Sequence, residues 1–288
     1  MSDNPLTDLS IPFLLPSFSL KGRLVRLEDV STSIIKQHEY PPPIEKVLAE
    51  LLAASATLAG ILKFEGVFTF QTKSKGPLSL SVIDVTHEGH MRGYAQFNPS
   101  KINPDDDFSK LLGRGYLAFT VDQGLKIDRY QGIVTLNHTT LPEALEHYFE
   151  QSEQLETRFF IDSQKTSEGH WKSSALLLQQ MPSQKVEEET WDYIEAVFKT
   201  LTPTEFLYFS IPYEILLRRL FHEGGLMIYD PIPLKAKCRC SIERIKSFLA
   251  TLSEDEVESL LENGQLKMTC EFCNHTYTFE RKDLMQVH

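Results

Sequence analysis

The four cysteines of this sequence are its strongest chemical signal. The chain has 288 residues, its first cysteine is Cys238, and Cys240, Cys270 and Cys273 complete two tight pairs. Four thiolates suit the tetrahedral coordination of Zn²⁺, and closely spaced pairs allow two backbone turns to deliver two sulfurs each. The pattern therefore predicts one zinc ion per chain with these four cysteines as its ligands.

The spacing within the pairs also favours redox chemistry. Cys238 and Cys240 are separated by a single residue, and a disulfide across one residue is strained and easily reduced again. Zinc keeps the sulfurs as thiolates, which are the form that oxidants attack. Because metal binding supplies folding energy in a small unit, oxidation of the ligands would also unfold that unit. His275 follows the second pair closely, and we predict that it is a surface or strand residue rather than a ligand.

The composition indicates a soluble globular chain with an acidic balance. Hydrophobic residues make up 41% and charged residues 24%, and the formal net charge is -11. The basic residues are scattered, so no basic face for nucleic acid is predicted. The stretch "VLAELLAASATLAGIL" is short and contains Glu50, which indicates a buried helix rather than a membrane span. The N-terminus is acidic where a signal peptide is basic, so we predict a cytoplasmic protein with reduced thiols.

The patterning predicts an α+β fold in three regions. We expect a large mixed α/β core domain over 1–183, an aromatic-rich linker of short helices over 184–231, and a small C-terminal zinc-binding redox-switch domain over 232–288. One core helix is predicted to begin at the prolines of 41–43 and another to span 141–154. The predicted core strands are "GVFTFQT", "LSLSVIDV", "YLAFTVD", "YQGIVTL", residues 159–161 and "SSALLLQQM".

The linker and the C-terminal region each need support from outside their own apolar residues. In the linker, Trp191 and Phe198 lie on one helical stripe, and Thr202 is predicted as an N-cap that forms a capping box with Glu205. Short helices are marginal alone, so these aromatic side chains must be covered by the core or by the tail. The C-terminal region has few large apolar residues, and small domains of that kind usually need a metal or disulfides.

The remaining motifs do not predict catalysis. "HEGH" at 87–90 lacks the H-E-x-x-H spacing of zinc proteases and is predicted to be a polar turn between strands. A thiol-disulfide oxidoreductase places its C-x2-C at a helix N-terminus, whereas "TCEFCNHTYTF" leads into a strand pattern. We therefore predict that the chain is not an enzyme. The alternative to a redox switch is a zinc-ribbon adaptor with a constitutive structural zinc site, which would keep its zinc under peroxide.

Segments along nearly the whole chain resemble the bacterial redox-regulated 33-kilodalton heat-shock chaperonin family, whose members are ATP-independent holdases. The order and spacing of the segments carry this resemblance, and the four cysteines match the family pattern without departure. The segments are "YPPPIEKVLAELLAA", "LKFEG", "GPLSLSVI", "MRGYA", "YQGIV", "YFEQSEQLETRFFI", "LLLQQMP", "LLRRLFHE", "IYDP" and "KCRC…CEFC".

The resemblance implies a molecular chaperone of the stress response that is inactive while reduced and zinc-bound. It implies that oxidation forms the redox disulfides Cys238–Cys240 and Cys270–Cys273 and releases zinc. The tail and the linker would then lose order, and the protein would form a homodimer that binds unfolding client proteins and prevents their aggregation.

Overall fold

One long helix between two β-sheets organises the larger part of the molecule. The computed structural model describes residues 7–123, 130–182, 186–261 and 264–280. The chain divides into two compact units, Met1–Ala236 and Lys237–His288. We call them the first unit and the four-thiol unit.

The strands follow one another in this order: β1 (Leu9–Leu15), β2 (Leu20–Leu27), β3 (Val67–Ser74), β4 (Leu78–Thr86), β5 (His90–Phe97), β6 (Gly115–Asp122), β7 (Tyr130–Leu136), β8 (Thr157–Lys165), β9 (Trp171–Gln180), β10 (Met227–Ile228), β11 (Ile232–Pro233), β12 (Lys235–Ala236), β13 (Gln265–Thr269) and β14 (Thr276–Glu280). The helices are α1 (Asp29–Ile35), α2 (Pro42–Ile61), α3 (Phe108–Leu112), α4 (Leu141–Tyr148), α5 (Glu188–Thr200), α6 (Pro203–Phe206), α7 (Tyr213–Leu220), α8 (Ile242–Leu249) and α9 (Glu254–Ser259). Short 3-10 turns lie at Pro16–Phe18 and Pro99–Lys101.

The first unit contains two sheets. Sheet 1 has the strand order β10-β1-β2-β9-β8, with β11 also paired to β1, and all its pairs are antiparallel. Sheet 2 has the order β12-β5-β4-β3-β6-β7, in which only β12 runs parallel to its neighbour. The mixture of antiparallel sheets and helices confirms the predicted α+β class. All six predicted core strands are present, as β3, β4, β6, β7, β8 and β9.

The helix predicted to begin at the prolines 41–43 is α2, and it fills the space between the sheets. It buries residues on all sides, including Leu48, Leu51 and Leu52, as expected for a helix that is apolar all round. The same cluster contains Leu177 of sheet 1 and Phe70 of sheet 2, so α2 is the common core of both sheets. Within the described residues, no helix combines the length and hydrophobicity that a membrane crossing requires.

Strand β1, which the sequence patterns do not predict, contains a proline at its centre. Pro12 lies opposite Arg23 of β2, and its carbonyl accepts a hydrogen bond of 3.0 Å from Tyr229 N on the other side. The N–H and C=O of one residue point to the same side of an antiparallel strand. An N–H at this position would therefore point to the outer edge of β1. Its absence leaves the hydrogen bonds between β1 and β2 undisturbed.

The helix predicted over 141–154 ends in a different geometry. Helix α4 stops at Tyr148 and continues as one π-helical turn, Phe149–Glu153, closed by Gln154 in the left-handed conformation. The Tyr148 hydroxyl donates a hydrogen bond of 2.7 Å to Glu153 Oε1. This bond joins the two ends of the turn, because Glu153 lies five residues after Tyr148.

The helices α5, α6 and α7 lie on the face of sheet 1 that is turned away from α2. We call residues 186–221 the covering segment. Its aromatic side chains Trp191, Phe206, Phe209 and Phe221 are buried in one cluster with sheet residues such as Leu24 and Leu176. These aromatic side chains were expected to be covered either by the core or by the tail. The sheet of the core covers them.

The predicted cap of α6 is correct in part. Thr202 Oγ1 accepts a hydrogen bond of 3.3 Å from Glu205 N, as predicted. The capping box is wrong, because the Glu205 carboxylate forms an ion pair with Arg219 of α7 instead of reaching back to the cap. A salt bridge between helices has replaced the local hydrogen bond.

Candidate metal centre

Two short connecting segments of the four-thiol unit, which we call its two turns, carry the cysteines. Cys238 and Cys240 lie directly before α8, whose N-cap Ser241 accepts a hydrogen bond from Arg244 N. Cys270 and Cys273 lie in the turn between β13 and β14. In that turn Cys270 N donates to the His275 carbonyl at 2.9 Å, and Asn274 N donates to the Cys270 carbonyl at 2.8 Å.

Asn274 explains how this turn closes so sharply. Its φ is +54°, in the left-handed region that asparagine tolerates better than most residues with a side chain. The reversal allows β14 to pair with β13 directly after Cys273, with Thr269 opposite Thr276. The second thiol pair is thus held at the end of a two-stranded antiparallel sheet.

The turns bring all four thiols together, as the sequence predicts. The four Sγ atoms lie within 4.8 Å of one another, and among the described residues no other group of three or more potential metal ligands is this close. Cys238 Sγ is 3.7 Å from Cys270 Sγ, and Cys240 Sγ is 3.4 Å from Cys273 Sγ. All four are half-buried thiols that form no disulfide bond. The closest contacts therefore join one turn to the other.

The separations suit a tetrahedral ion. With Zn–S bonds of about 2.3 Å, neighbouring sulfurs of a tetrahedron lie about 3.8 Å apart. The two measured Sγ–Sγ distances, 3.7 and 3.4 Å, are close to that value, and both exceed the roughly 2.05 Å of a disulfide bond. A group of four thiols with this spacing can hold one metal ion.

Burial makes two of the thiols reluctant to ionise. It raises the pKa of Cys240 and of Cys273, and hydrogen bonding with Cys238 raises both further, while the Tyr277 hydroxyl partly offsets the rise at Cys240. A cation at the centre of the group would reverse this effect, since a coordinated thiol is deprotonated. The arrangement is therefore suited to a charged ligand rather than to an empty cluster of thiolates.

Tyr277 is a contact that sequence reasoning missed. Its hydroxyl donates a hydrogen bond of 3.2 Å to Cys240 Sγ, and this bond raises the pKa of Tyr277 to about 12. A tyrosine in a strand four residues after Cys273 carries no signal of such a role, because the partner sulfur lies 37 positions earlier. His275 stays outside the group of possible ligands and packs edge-on against Tyr277, with ring centroids 4.5 Å apart.

The "HEGH" motif plays no part in this centre. His87 to Gly89 form the turn between β4 and β5, as predicted, and His90 is the first residue of β5. Gly66 N donates a hydrogen bond of 3.1 Å to His87 Nδ1, and His90 Nδ1 lies 3.0 Å from Glu88 Oε2. The two imidazoles are thus engaged in separate local contacts.

The apolar core of the four-thiol unit is very small. Among its described residues four apolar side chains are buried together, Leu249, Val257, Leu266 and Phe279. One of them comes from each of α8, α9, β13 and β14. At about 1.5–3 kcal/mol for each buried side chain, this core offsets little of the conformational entropy of some fifty residues.

The chain combines a large α+β unit with a small unit whose four grouped thiols could hold a metal ion. A family model described as "Hsp33 protein" matches residues 8–280, so the chain belongs to the Hsp33 family.

Named relatives are similar to this chain over nearly its full length. The chain is 36% identical to the 33 kDa chaperonin of Pseudomonas putida strain F1, over 100% of this chain and 95% of that protein. It is 37% identical to the 33 kDa chaperonin of Escherichia coli O7:K1 strain IAI39, over 96% and 93%. The crystal structure of the 33 kDa chaperonin of Thermotoga maritima, a heat shock protein 33 homolog, superimposes with a TM-score of 0.83 at 26% identity, covering 97% of both chains.

Proposed function

We propose that this chain is a redox-regulated chaperone, a holdase that binds unfolding proteins and prevents their aggregation under oxidative and heat stress. Membership of the Hsp33 family supports the chaperone role. The observation that carries the regulation is the group of four thiols, all within 4.8 Å, in a unit with a very small core. Such a unit depends on its sulfurs for stability, so a change at the sulfurs is a change in folding.

In the reduced, inactive form Cys238, Cys240, Cys270 and Cys273 hold one zinc ion per chain. When bound, zinc supplies a cross-link between the two turns and keeps the sulfurs as thiolates. The hydroxyl of Tyr277 orients Cys240 within this set, as outer hydrogen bonds do at other metal centres. The donor set of four thiols excludes ions that prefer oxygen ligands, such as Mg²⁺ and Ca²⁺.

Oxidation converts the four ligands into the disulfides Cys238–Cys240 and Cys270–Cys273. Each bridge forms as two thiols lose two electrons and two protons to an oxidant such as a peroxide, which is reduced to water or an alcohol. Both bridges are local, so they remove the cross-link between the two turns. The remaining core of four apolar side chains then leaves the unit unfolded.

The covering segment is released as a consequence. Residues 227–236, which join α7 to the first cysteine pair, are held by strands of only two residues each. Short strands of this kind open easily once the chain beyond them has unfolded. The released segment uncovers the apolar face of sheet 1, where clients bind and where a second chain joins to form the active homodimer.

The proposed function also includes a location in the cell and a class of partners. The protein acts in the cytoplasm, where its thiols are reduced until stress occurs. It binds no nucleic acid and no membrane, and it carries out no enzymatic turnover of its clients. Its partners are unfolded or partly unfolded proteins.

Zinc content and chaperone activity, measured in parallel, test the proposal. We expect one zinc per reduced chain, no suppression of aggregation of an unrelated denatured protein, and the reverse on both counts after peroxide. A variant with all four cysteines replaced by serine controls for damage by peroxide elsewhere, since peroxide should not change its activity. Zinc that stays bound under peroxide, with no gain of client binding, would instead support the adaptor.

A further inference from the structure

Three cations lie on the face of sheet 1 beneath the covering segment, each against one of its aromatic rings. Arg26 lies 5.2 Å from the ring centroid of Phe209, and Lys172 lies 5.4 Å from the same ring. Arg158 lies 5.0 Å from the ring of Trp191. These distances are within the range in which a cation is attracted by the face of an aromatic ring.

Arg26 is the most unusual of the three because it is 0% exposed. Its Nη1 donates a hydrogen bond of 2.7 Å to the Ile211 carbonyl, while Nε and Nη2 find no hydrogen-bond partner among the residues that the structure describes. Burial lowers the pKa of Arg26 to about 10, and the negative charge of Glu214 opposes that shift. The ring, the carbonyl and the carboxylate that stabilise this buried charge all belong to the covering segment.

Arg158, near the start of β8, has the same two kinds of partner. It lies over Trp191, and its Nε is 3.5 Å from Glu195 Oε1. Trp191 and Glu195 are four residues apart and so share one face of α5. The aromatic ring and the acid that contact one cation thus come from one short stretch of helix.

The composition of the covering segment agrees with these contacts. Between residues 186 and 221 there are seven acidic and three basic side chains. The face beneath it combines an apolar floor, which includes Leu20, Leu24 and Leu178, with the three cations. An aromatic residue with an acid four or five positions later is complementary to this face.

We propose that the face of sheet 1 selects client segments in which an aromatic residue is followed by an acid about one helical turn later. Such segments take the places that Trp191 with Glu195 and Phe209 with Glu214 occupy in the closed form. The inference rests on the proposed release of the covering segment. A purely apolar surface would instead bind aromatic segments regardless of their charge.

Because the protein is negatively charged overall, a preference for acidic peptides can be assigned to local cations. The chain has a formal net charge of -11, so its long-range field repels an acidic peptide. Tighter binding of an acidic peptide than of its basic counterpart must therefore come from local cations. The three on this face are the ones placed to provide it.

The experiment uses the oxidised full-length protein and three labelled peptides that are unfolded when free. The peptides are identical except that a tryptophan is followed four positions later by Glu, Gln or Lys. We expect fluorescence anisotropy to show the Glu peptide binding about tenfold more tightly than the Lys peptide, with Gln between them. Arg158→Glu should reverse the order, and Arg158→Gln should remove most of the difference.

Lys101→Glu is the matched control, because it makes the same charge change at an exposed position in a 3-10 turn. Equal binding of all three peptides, or the same response in Arg158→Glu and Lys101→Glu, would overturn the inference. The proposed function is scored separately by suppression of aggregation. An oxidised chain that suppresses aggregation but ignores peptide charge refutes only the charge selection, whereas one that suppresses no aggregation refutes the proposed function and this inference with it.

Discussion

The covering segment and the four-thiol unit are both built around short helices, yet different forces hold them. Helices α5, α6 and α7 bury large rings such as Trp191 and Phe206 against sheet 1. Among the described side chains of α8 and α9, only Leu249 and Val257 are buried, in a small cluster of their own. The first region therefore depends on a neighbouring surface, whereas in the proposed function the second depends on its sulfurs. Two regions built from short helices can therefore respond to different changes. One responds to the loss of a covering surface, and the other to a change at its sulfurs.

Removal of one sulfur should have the largest effect, and it should act first on the four-thiol unit. Cys240→Ser is expected to abolish zinc binding and unfold residues 237–288, because structural zinc contributes on the order of 10 kcal/mol to small domains. Metal analysis and hydrogen exchange would measure both effects. His275→Gln is the control and should keep its zinc. Full zinc content in Cys240→Ser would refute the proposed ligand set.

Removal of one buried ring should detach the covering segment without oxidation. Phe206 is 0% exposed and packs edge-on against Phe160 with ring centroids 4.9 Å apart. Phe206→Ala should cost about 3–5 kcal/mol and speed hydrogen exchange across α5–α7 in the reduced, zinc-bound protein. The exposed Tyr208 offers the matched control Tyr208→Ala, which should leave exchange unchanged. If the two variants exchange alike, the rings do not hold the segment.

Acid should affect the first unit and the four-thiol unit in opposite directions. Burial raises the pKa of Glu50 on α2 to about 7, with Lys46 partly offsetting it and Asp162 adding to it. The neutral form is therefore favoured in the folded state, so this contribution is complete below pH 4.5 and is lost as pH rises through about 7. The four-thiol unit has the reverse dependence, because protonated thiols release metal.

Glu50→Gln isolates the first of these two effects. Its free energy of unfolding should exceed that of the parent by about 2–3 kcal/mol above pH 7 and match it near pH 4.5. Urea unfolding of the first unit, followed from pH 4.5 to 8, would measure the difference. A difference that does not grow with pH would show that Glu50 ionises normally in the fold.

Loss of one hydroxyl should have the smallest effect of the set. Tyr277→Phe removes the hydrogen bond to Cys240 Sγ and keeps the ring that packs against His275. We expect zinc affinity to fall about tenfold, measured by competition with a chelator, while the reduced unit stays folded. Thr278→Val in the same strand serves as the control. Unchanged affinity in Tyr277→Phe would remove this hydroxyl from the site.

Local patterns predicted the elements whose signals are contained in short stretches. Helix α2, the six core strands and the cap at Thr202 each depend on residues within one or two turns. The grouping of the cysteines was predictable for the same reason, because each pair lies in one turn. Only the contact between the two turns is long-range. It was predictable because one tetrahedral metal ion needs all four thiols, and therefore both pairs, at one place.

Features that depend on distant partners were not predictable. Strand β2 pairs with β9, about 150 residues later, and no local pattern marks that contact. Glu205 has the position of a capping-box acid, yet it pairs with Arg219. Tyr277 reaches Cys240 only because the fold brings β14 to the first thiol pair. In each case a tertiary contact replaced or added to the local preference.

Pro12 has a consequence for aggregation. When β10 and β11 leave sheet 1 with the released segment, the outer edge of β1 loses its paired strands. An open edge is a template for strands of other molecules, and this danger is greatest among unfolding proteins. Pro12 offers no N–H at the centre of that edge, so an added strand cannot form a continuous ladder. Light scattering of oxidised Pro12→Val should therefore show faster self-association than that of the parent.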